Sequence, residues 1–136
     1  RLKNVRVAEL KHFKDNPRKN NASAKIVAKS IEEFGYICPI IVDEENVVLA
    51  GNTRLKALKL LGVEEIDVIE VIGLTEDQKT NFVLADNRVN EYSRWNWEQV
   101  NRLAEKQEVT GQSQILNTLG MRSRASHLKE LEEKLK

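Results

Sequence analysis

The passage Val47–Leu61 limits the fold more than any other part of the chain. A short apolar run, Val47–Ala50, stops at Gly51, and from Arg54 a helical pattern runs to Leu61, where Gly62 closes it. A turn that tight needs a residue without Cβ, and it commits a strand and a helix to one packed unit. The flanking segments repeat the alternation. Val5–Leu10 reads as a short strand, followed by the turn Asp15-Asn16-Pro17-Arg18, where proline sets φ and Asn and Asp accept turn geometry. Ala24–Phe34 places Val27, Ile31 and Phe34 at helical spacing, with Ser23 as the expected N-cap and Gly35 as the C′ residue. Ile37–Asp43 is apolar and β-branched; Pro39 argues for an edge or a strand start. The turn Glu44-Glu45-Asn46 joins it to Val47–Ala50 as a hairpin.

Glu65–Val71 reads as another strand. Thr75-Glu76-Asp77-Gln78 fits a capping box and starts a helix to about Asn90. Asn96-Trp97-Glu98-Gln99 repeats the box, with Trp95 and Val100 placed to form a hydrophobic staple. The expected architecture is a small α+β domain over residues 1–108, a mixed sheet with packed helices, followed by a helical tail over 109–136.

At 136 residues the chain can bury one core without staples. Hydrophobic residues make up 40% and charged residues 32%, as in a soluble globular domain. No apolar run approaches the ~18 residues of a membrane span. The opening Arg1-Leu2-Lys3-Asn4-Val5 has neither Met nor a signal-peptide core, which reads as an excised fragment. The single cysteine, Cys38, excludes an internal disulfide and reads as a small buried residue. Together these features point to the cytoplasm. The net charge is +1, but Lys11, Lys14, Arg18, Lys19, Lys25 and Lys29 cluster early, ahead of an acidic block from Glu32 to Glu45. Such a face can hold a polyanion or be ordinary solvated surface.

The chemistry concentrates at Gly51-Asn52-Thr53-Arg54. First-turn N–H groups lack intrahelical acceptors and carry partial positive charge, so an anion is favoured there. Gly51 permits close approach, Thr53 offers a hydroxyl and Arg54 a fork of donors matched to phosphate oxygens. The same four residues also serve a plain turn, a cap and a surface charge. Ala85-Asp86-Asn87-Arg88 reads by itself as a solvent-facing helix end, where the helix dipole favours Arg88. His12 and His127 are single and far apart, so nothing assigns them a metal or acid–base role.

Four segments in order resemble the ParB/sulfiredoxin-like family, which includes ParB N-terminal domains of phage and plasmid type. Asp15-Asn16-Pro17-Arg18-Lys19-Asn20 is similar to its Asn-Pro and Arg box. Gly35-Tyr36-Ile37-Cys38-Pro39 with Ile40-Ile41-Val42 is similar to its Gly-x-x-x-Pro-apolar strand. Gly51-Asn52-Thr53-Arg54 resembles its Gly-x-x-Arg box, and Asp86-Asn87-Arg88 its later helical element. The resemblance implies a site in which Arg18, Pro39, Gly51, Asn52, Thr53, Arg54 and Arg88 bind nucleotide while Asp86 and Asn87 hold metal. It further implies Mg²⁺ with CTP or ATP, and as partners DNA or a DNA-associated protein and a second copy of the chain, with no membrane. The expected function is a nucleotide-binding module in DNA partition or DNA modification. A nucleotide-dependent kinase of the free-serine type and a ParB-like nuclease stand as alternatives. Nothing identifies the kinase's base, Glu32 and Glu33 being candidates only by their place on the helix before the base-side strand, and the nuclease lacks a metal-binding carboxylate cluster.

Asn52 departs from the family pattern, standing where sulfiredoxin has its cysteine and ParB proteins usually have Glu. An amide cannot take a proton near pH 7, so binding is expected to survive better than hydrolysis, and sulfiredoxin activity is not expected. Beyond the hinge Gln107–Gln112, the segments Gln112–Leu119 and Ser123–Leu135 have the outline of a helix-turn-helix, with Arg122, Arg124, His127 and Lys129 on the second. About 25 residues are too few for a full DNA-reading module, so a partner-binding helix is the expectation.

Overall fold

A computed structural model describes residues 1–135 apart from 15, 17–20, 111–113, 120, 122 and 123. The chain forms two compact units, Arg1–Tyr92 and Ser93–Lys136. The division falls at Ser93, in the loop before the helix that starts at Trp97, whereas the sequence reading placed it at residue 108.

The first unit contains β1 (Leu2–Arg6), a 3-10 turn (Val7–Glu9), α1 (Asn21–Phe34), β2 (Ile41–Val42), β3 (Val48–Ala50), α2 (Asn52–Leu60), β4 (Glu65–Glu70) and α3 (Glu76–Tyr92). The sheet order is β1-β4-β2-β3, with β2 parallel to β4 and the other pairs antiparallel. This is the expected mixed-sheet α+β fold. Val5, Val42, Val48 and Val68 from the strands meet Leu55 and Leu58 of α2 in the buried core, and Ile40 joins them. A core on that scale supplies the main driving force for folding, at about 25 cal/mol per Å² of apolar surface buried.

Several expectations are corrected. The first strand starts earlier and ends at Arg6, because Val7–Glu9 turns and sends the Val7 amide to the Glu64 carbonyl at 2.8 Å. Helix α1 begins at Asn21, so Ser23 lies within it and is no N-cap. Strand β2 is only Ile41–Val42. Pro39 has no N–H to give a ladder, and Ile37, Cys38 and Pro39 stay exposed while the Tyr36 hydroxyl accepts the Ile40 amide at 2.7 Å. Cys38 is therefore exposed, not a small buried residue.

The β2–β3 connection turns through Asn46, at φ 63°, where the short polar side chain of Asn tolerates the left-handed region. Asp43 Oδ1 accepts the Glu45 and Val47 amides, each at 2.9 Å, and so shapes that turn. The Thr75 box forms as expected: Thr75 Oγ1 accepts the Gln78 amide at 3.2 Å, and Gln78 Oε1 accepts the Thr75 amide at 2.9 Å.

The second unit contains α4 (Trp97–Thr110), α5 (Gln114–Thr118) and α6 (Arg124–Lys134). Asn96 caps α4, its Oδ1 accepting the Gln99 amide at 3.1 Å. Trp95 is 63% exposed and tilts against Trp97, ring centroids 5.9 Å apart, so it does not act as a buried staple. Among the described residues no helix is long and apolar enough to cross a membrane.

Candidate functional site

The site begins where β3 passes through Gly51 into α2. Gly51 has φ 105°, and a Cβ built on it would lie 2.9 Å from Ile40 Cγ1 and 3.4 Å from Ile40 Cα. The left-handed angle and the close approach together require glycine. Its carbonyl accepts the Leu55 amide at 2.9 Å, so it sits at the N-cap without a side chain covering the helix end. The first-turn residues of α2, Asn52, Thr53 and Arg54, line a cavity of about 220 Å³.

Gly51, Asn52, Thr53 and Arg54 all line that cavity, facing Asp86, Asn87 and Asn90 of α3, with Asn16 at the rim. A second cavity of about 290 Å³ is lined by Ile31, Phe34, Tyr36, Ile37 and Cys38 and shares Val27 and Arg54 with the first. Arg54 thus stands between a polar pocket and a more apolar one. Burial pushes the Tyr36 hydroxyl of the second pocket above its ordinary pKa, outweighing the opposing effects of the Ile40 amide and the Arg54 guanidinium.

The face that α3 turns to this site follows from helical geometry. At about 100° per residue, Lys79, Val83, Asp86 and Asn90 fall within roughly 60° of arc, with Asn87 just beside them. Lys79 and Val83 are buried, at 4% and 1% exposure, while Asp86, Asn87 and Asn90 reach the cavity. Asn87 Nδ2 donates to the Val83 carbonyl at 2.8 Å, which leaves its Oδ1 as the atom able to meet a cation. Arg88 lies on the opposite side of the helix from Lys79. It is exposed, pairs with Glu91 and stands 5.0 Å over the Tyr92 ring, outside the cavity lining. Pro39 is likewise exposed and lines neither cavity, although its neighbours Ile37 and Cys38 do. Arg18 lies outside the described residues.

Asn52 is only 7% exposed, and its amide is committed. Oδ1 accepts the Phe13 amide at 3.3 Å and lies 3.0 Å from His12 Nδ1, and Nδ2 donates to the Val48 carbonyl at 3.3 Å. Because the carbonyl oxygen only accepts, His12 carries its proton on Nδ1. The side chain thus ties the His12–Phe13 loop to the first turn of α2. Sequence reasoning missed His12, which is 40 residues from its partner. The isolated bridge of Lys11 with Val47 brings it there, with the Lys11 amide 2.9 Å from the Asn46 carbonyl.

The donor set suits one hard cation shared with a phosphate, because Mg²⁺ is usually held by one or two carboxylates together with phosphate oxygens. Asp86 is the single carboxylate among the described residues lining the 220 Å³ cavity. No group of three His, Cys, Asp or Glu able to hold a metal occurs among the described residues.

A four-stranded mixed sheet with a glycine-gated helix N-terminus beside a cavity shared with a second helix defines a small α+β domain. The profile of the ParB N-terminal domain matches residues 1–88, and the chain belongs to that family. It is 34% identical over 73 residues to the ParB-like nuclease domain-containing protein YnaK of Escherichia coli K12, covering 52% of this chain and 83% of that protein. It is 38% identical over 76 residues to the probable chromosome-partitioning protein ParB of Campylobacter jejuni, covering 52% of this chain and 27% of that one. Thus it spans most of the first relative but about a quarter of the second. Among solved structures, the C-terminally truncated chromosome-partitioning protein ParB of Caulobacter crescentus complexed with CTP-gamma-S aligns with a TM-score of 0.69 at 19% identity, over 90% of this chain and 72% of that one. The pNOB8-like ParB N-domain aligns at 0.56 and 24% identity, over 81% and 45%. At these identities the structural likeness establishes the fold.

Proposed function

We propose that this domain binds a nucleoside triphosphate, CTP or ATP, with Mg²⁺, and serves as a nucleotide-binding module in DNA partition or DNA modification. The observation that carries the reading is the convergence of the Gly51–Arg54 turn with Asp86 and Asn87 around one cavity. First-turn amides and the Arg54 guanidinium would receive phosphate oxygens. Asp86 and the Asn87 carbonyl would hold Mg²⁺, which supplies neutralising charge to the phosphates when bound. The more apolar pocket beyond Arg54 offers Tyr36 and Ile37 to the nucleoside. The Caulobacter relative in complex with CTP-gamma-S and the partition proteins among its relatives support the ligand class and the DNA context.

Turnover is expected to be slow. Asn52 cannot act as a base, and its amide is already occupied by His12, Phe13 and Val48. Any proton acceptor must then be Asp86 or come from a partner protein, so partner-stimulated hydrolysis is the expected route. Isothermal titration of the chain with CTP, ATP and GTP, each with and without Mg²⁺, tests the reading. Binding of CTP or ATP, strengthened by Mg²⁺, is expected; absence of binding by all three would refute it.

A further inference from the structure

Lys79 is the most buried cation of the first unit among its described residues, and the cavity lining does not include it. Its ammonium reaches three carboxylates at once: Asp43 Oδ2 at 3.0 Å, Glu44 Oε1 at 2.9 Å and Glu76 Oε1 at 3.2 Å. The Asp43 side chain is equally buried, whereas Glu44 and Glu76 are 40% and 89% exposed. The Glu44 and Asp43 carboxylates raise the Lys79 ammonium above its ordinary pKa, so it is charged at every physiological pH. Asp43 is itself anchored from both sides, because its other oxygen holds the Glu45 and Val47 amides of the β2–β3 turn. The pair therefore bolts the first turns of α3 to the sheet. Two and three helical turns further along the same stripe, Asp86 and Asn90 line the cavity.

We propose that Lys79 is a positioning residue for the cavity. Through Asp43 it sets where α3 places Asp86 and Asn87 opposite the α2 N-terminus. The effect on ligand rests on the nucleotide reading above; the tether itself does not. A stiff helix carries the constraint from its anchored end to its cavity-lining end, and few other attachments compete. Val83 is the one other buried residue of α3. A buried pair of this kind contributes little net stability over an apolar replacement, which favours a role in geometry.

Two variants of the full 136-residue chain separate geometry from stability. Lys79→Met leaves Asp43 buried without its cation and should lower the melting temperature. Asp43→Asn combined with Lys79→Met removes that stranded charge, keeps an acceptor for the turn amides and should recover most of the loss. If Lys79 only stabilises the fold, amide exchange across residues 84–90 and nucleotide affinity should recover together with the melting temperature. If it positions α3, exchange there should stay roughly tenfold faster than in the unmodified chain. The dissociation constant for Mg²⁺ with CTP should then also stay weaker by about fivefold or more, a loss of about 1 kcal/mol. Exchange across 84–90 that returns to the unmodified rate in the double variant would overturn the proposal. Should the unmodified chain bind no nucleotide, the functional reading falls alone, and the exchange result still decides the tether.

Discussion

Replacing Asn52 by alanine tests whether this position is a structural lock or a ligand group. The substitution removes the acceptor for Phe13 N–H and His12 Nδ1–H and the donor to the Val48 carbonyl. Each neutral hydrogen bond contributes about 1 kcal/mol net, and a buried group left without a partner costs about 1–3 kcal/mol. Phe13 and His12 are half-buried and can recruit water, but the Val48 carbonyl sits under a residue with no exposure. The sum is about 2–3 kcal/mol, or of order 10–20 °C in melting temperature for a unit this size. His12→Ala removes one of these bonds, at a cost of about 1 kcal/mol, and leaves Asn52 Oδ1 with the Phe13 amide. In a double-mutant cycle the two losses should fall short of additivity by about 0.5–1 kcal/mol, because the shared bond is counted twice. Urea unfolding followed by far-UV circular dichroism reads all four proteins. An alanine variant within about 0.5 kcal/mol of the parent, or additive losses, would show that the His12–Asn52 contact carries no energy.

Arg54→Ala should weaken nucleotide binding by about 1.5–3 kcal/mol, roughly 10–150-fold in Kd, with the fold retained; calorimetric titration checks both. Gly51→Ala forces a Cβ into Ile40 at a φ of 105° and should cost about 2–4 kcal/mol from strain and overpacking, measurable by thermal melting. Asp86→Asn should leave affinity in EDTA unchanged and abolish its strengthening by Mg²⁺, again by calorimetry. Burial alone would raise the Asp43 carboxyl, but the Val47 amide, Lys79 and the Glu45 amide outweigh it and hold it below its ordinary 3.8. A depressed folded pKa means its contribution is whole above about pH 4 and drains away as pH falls through the folded value. Lys79 has the opposite sign: its contribution is whole below 10.5 and is lost only as pH rises through a still higher folded value. As pH drops from about 6 to 2, the melting temperature should therefore fall less steeply in Lys79→Met than in the parent chain.

Signals carried within a few residues were legible without coordinates. Gly51 marks the strand-to-helix turn because no other residue accepts its angle, and Thr75 and Gln78 satisfy each other three residues apart. The order of the family segments likewise named the fold and placed Gly51–Arg54, Asp86 and Asn87 around one cavity. Short strands were the weak point. Where Pro39 breaks the ladder, apolar composition alone overstates strand length, and Cys38 lies exposed. The orientation of Arg88 turned on helical phase, since one residue beyond Asn87 rotates a side chain by about 100° and away from the pocket. Tertiary structure alone decided which distant groups meet. His12 reaches Asn52 because Lys11 bridges Val47, and Lys79 reaches Asp43 because α3 returns across the β2–β3 turn. Neither partner is written near the other in the chain: strand order selects them, and strand order comes from burying one shared core.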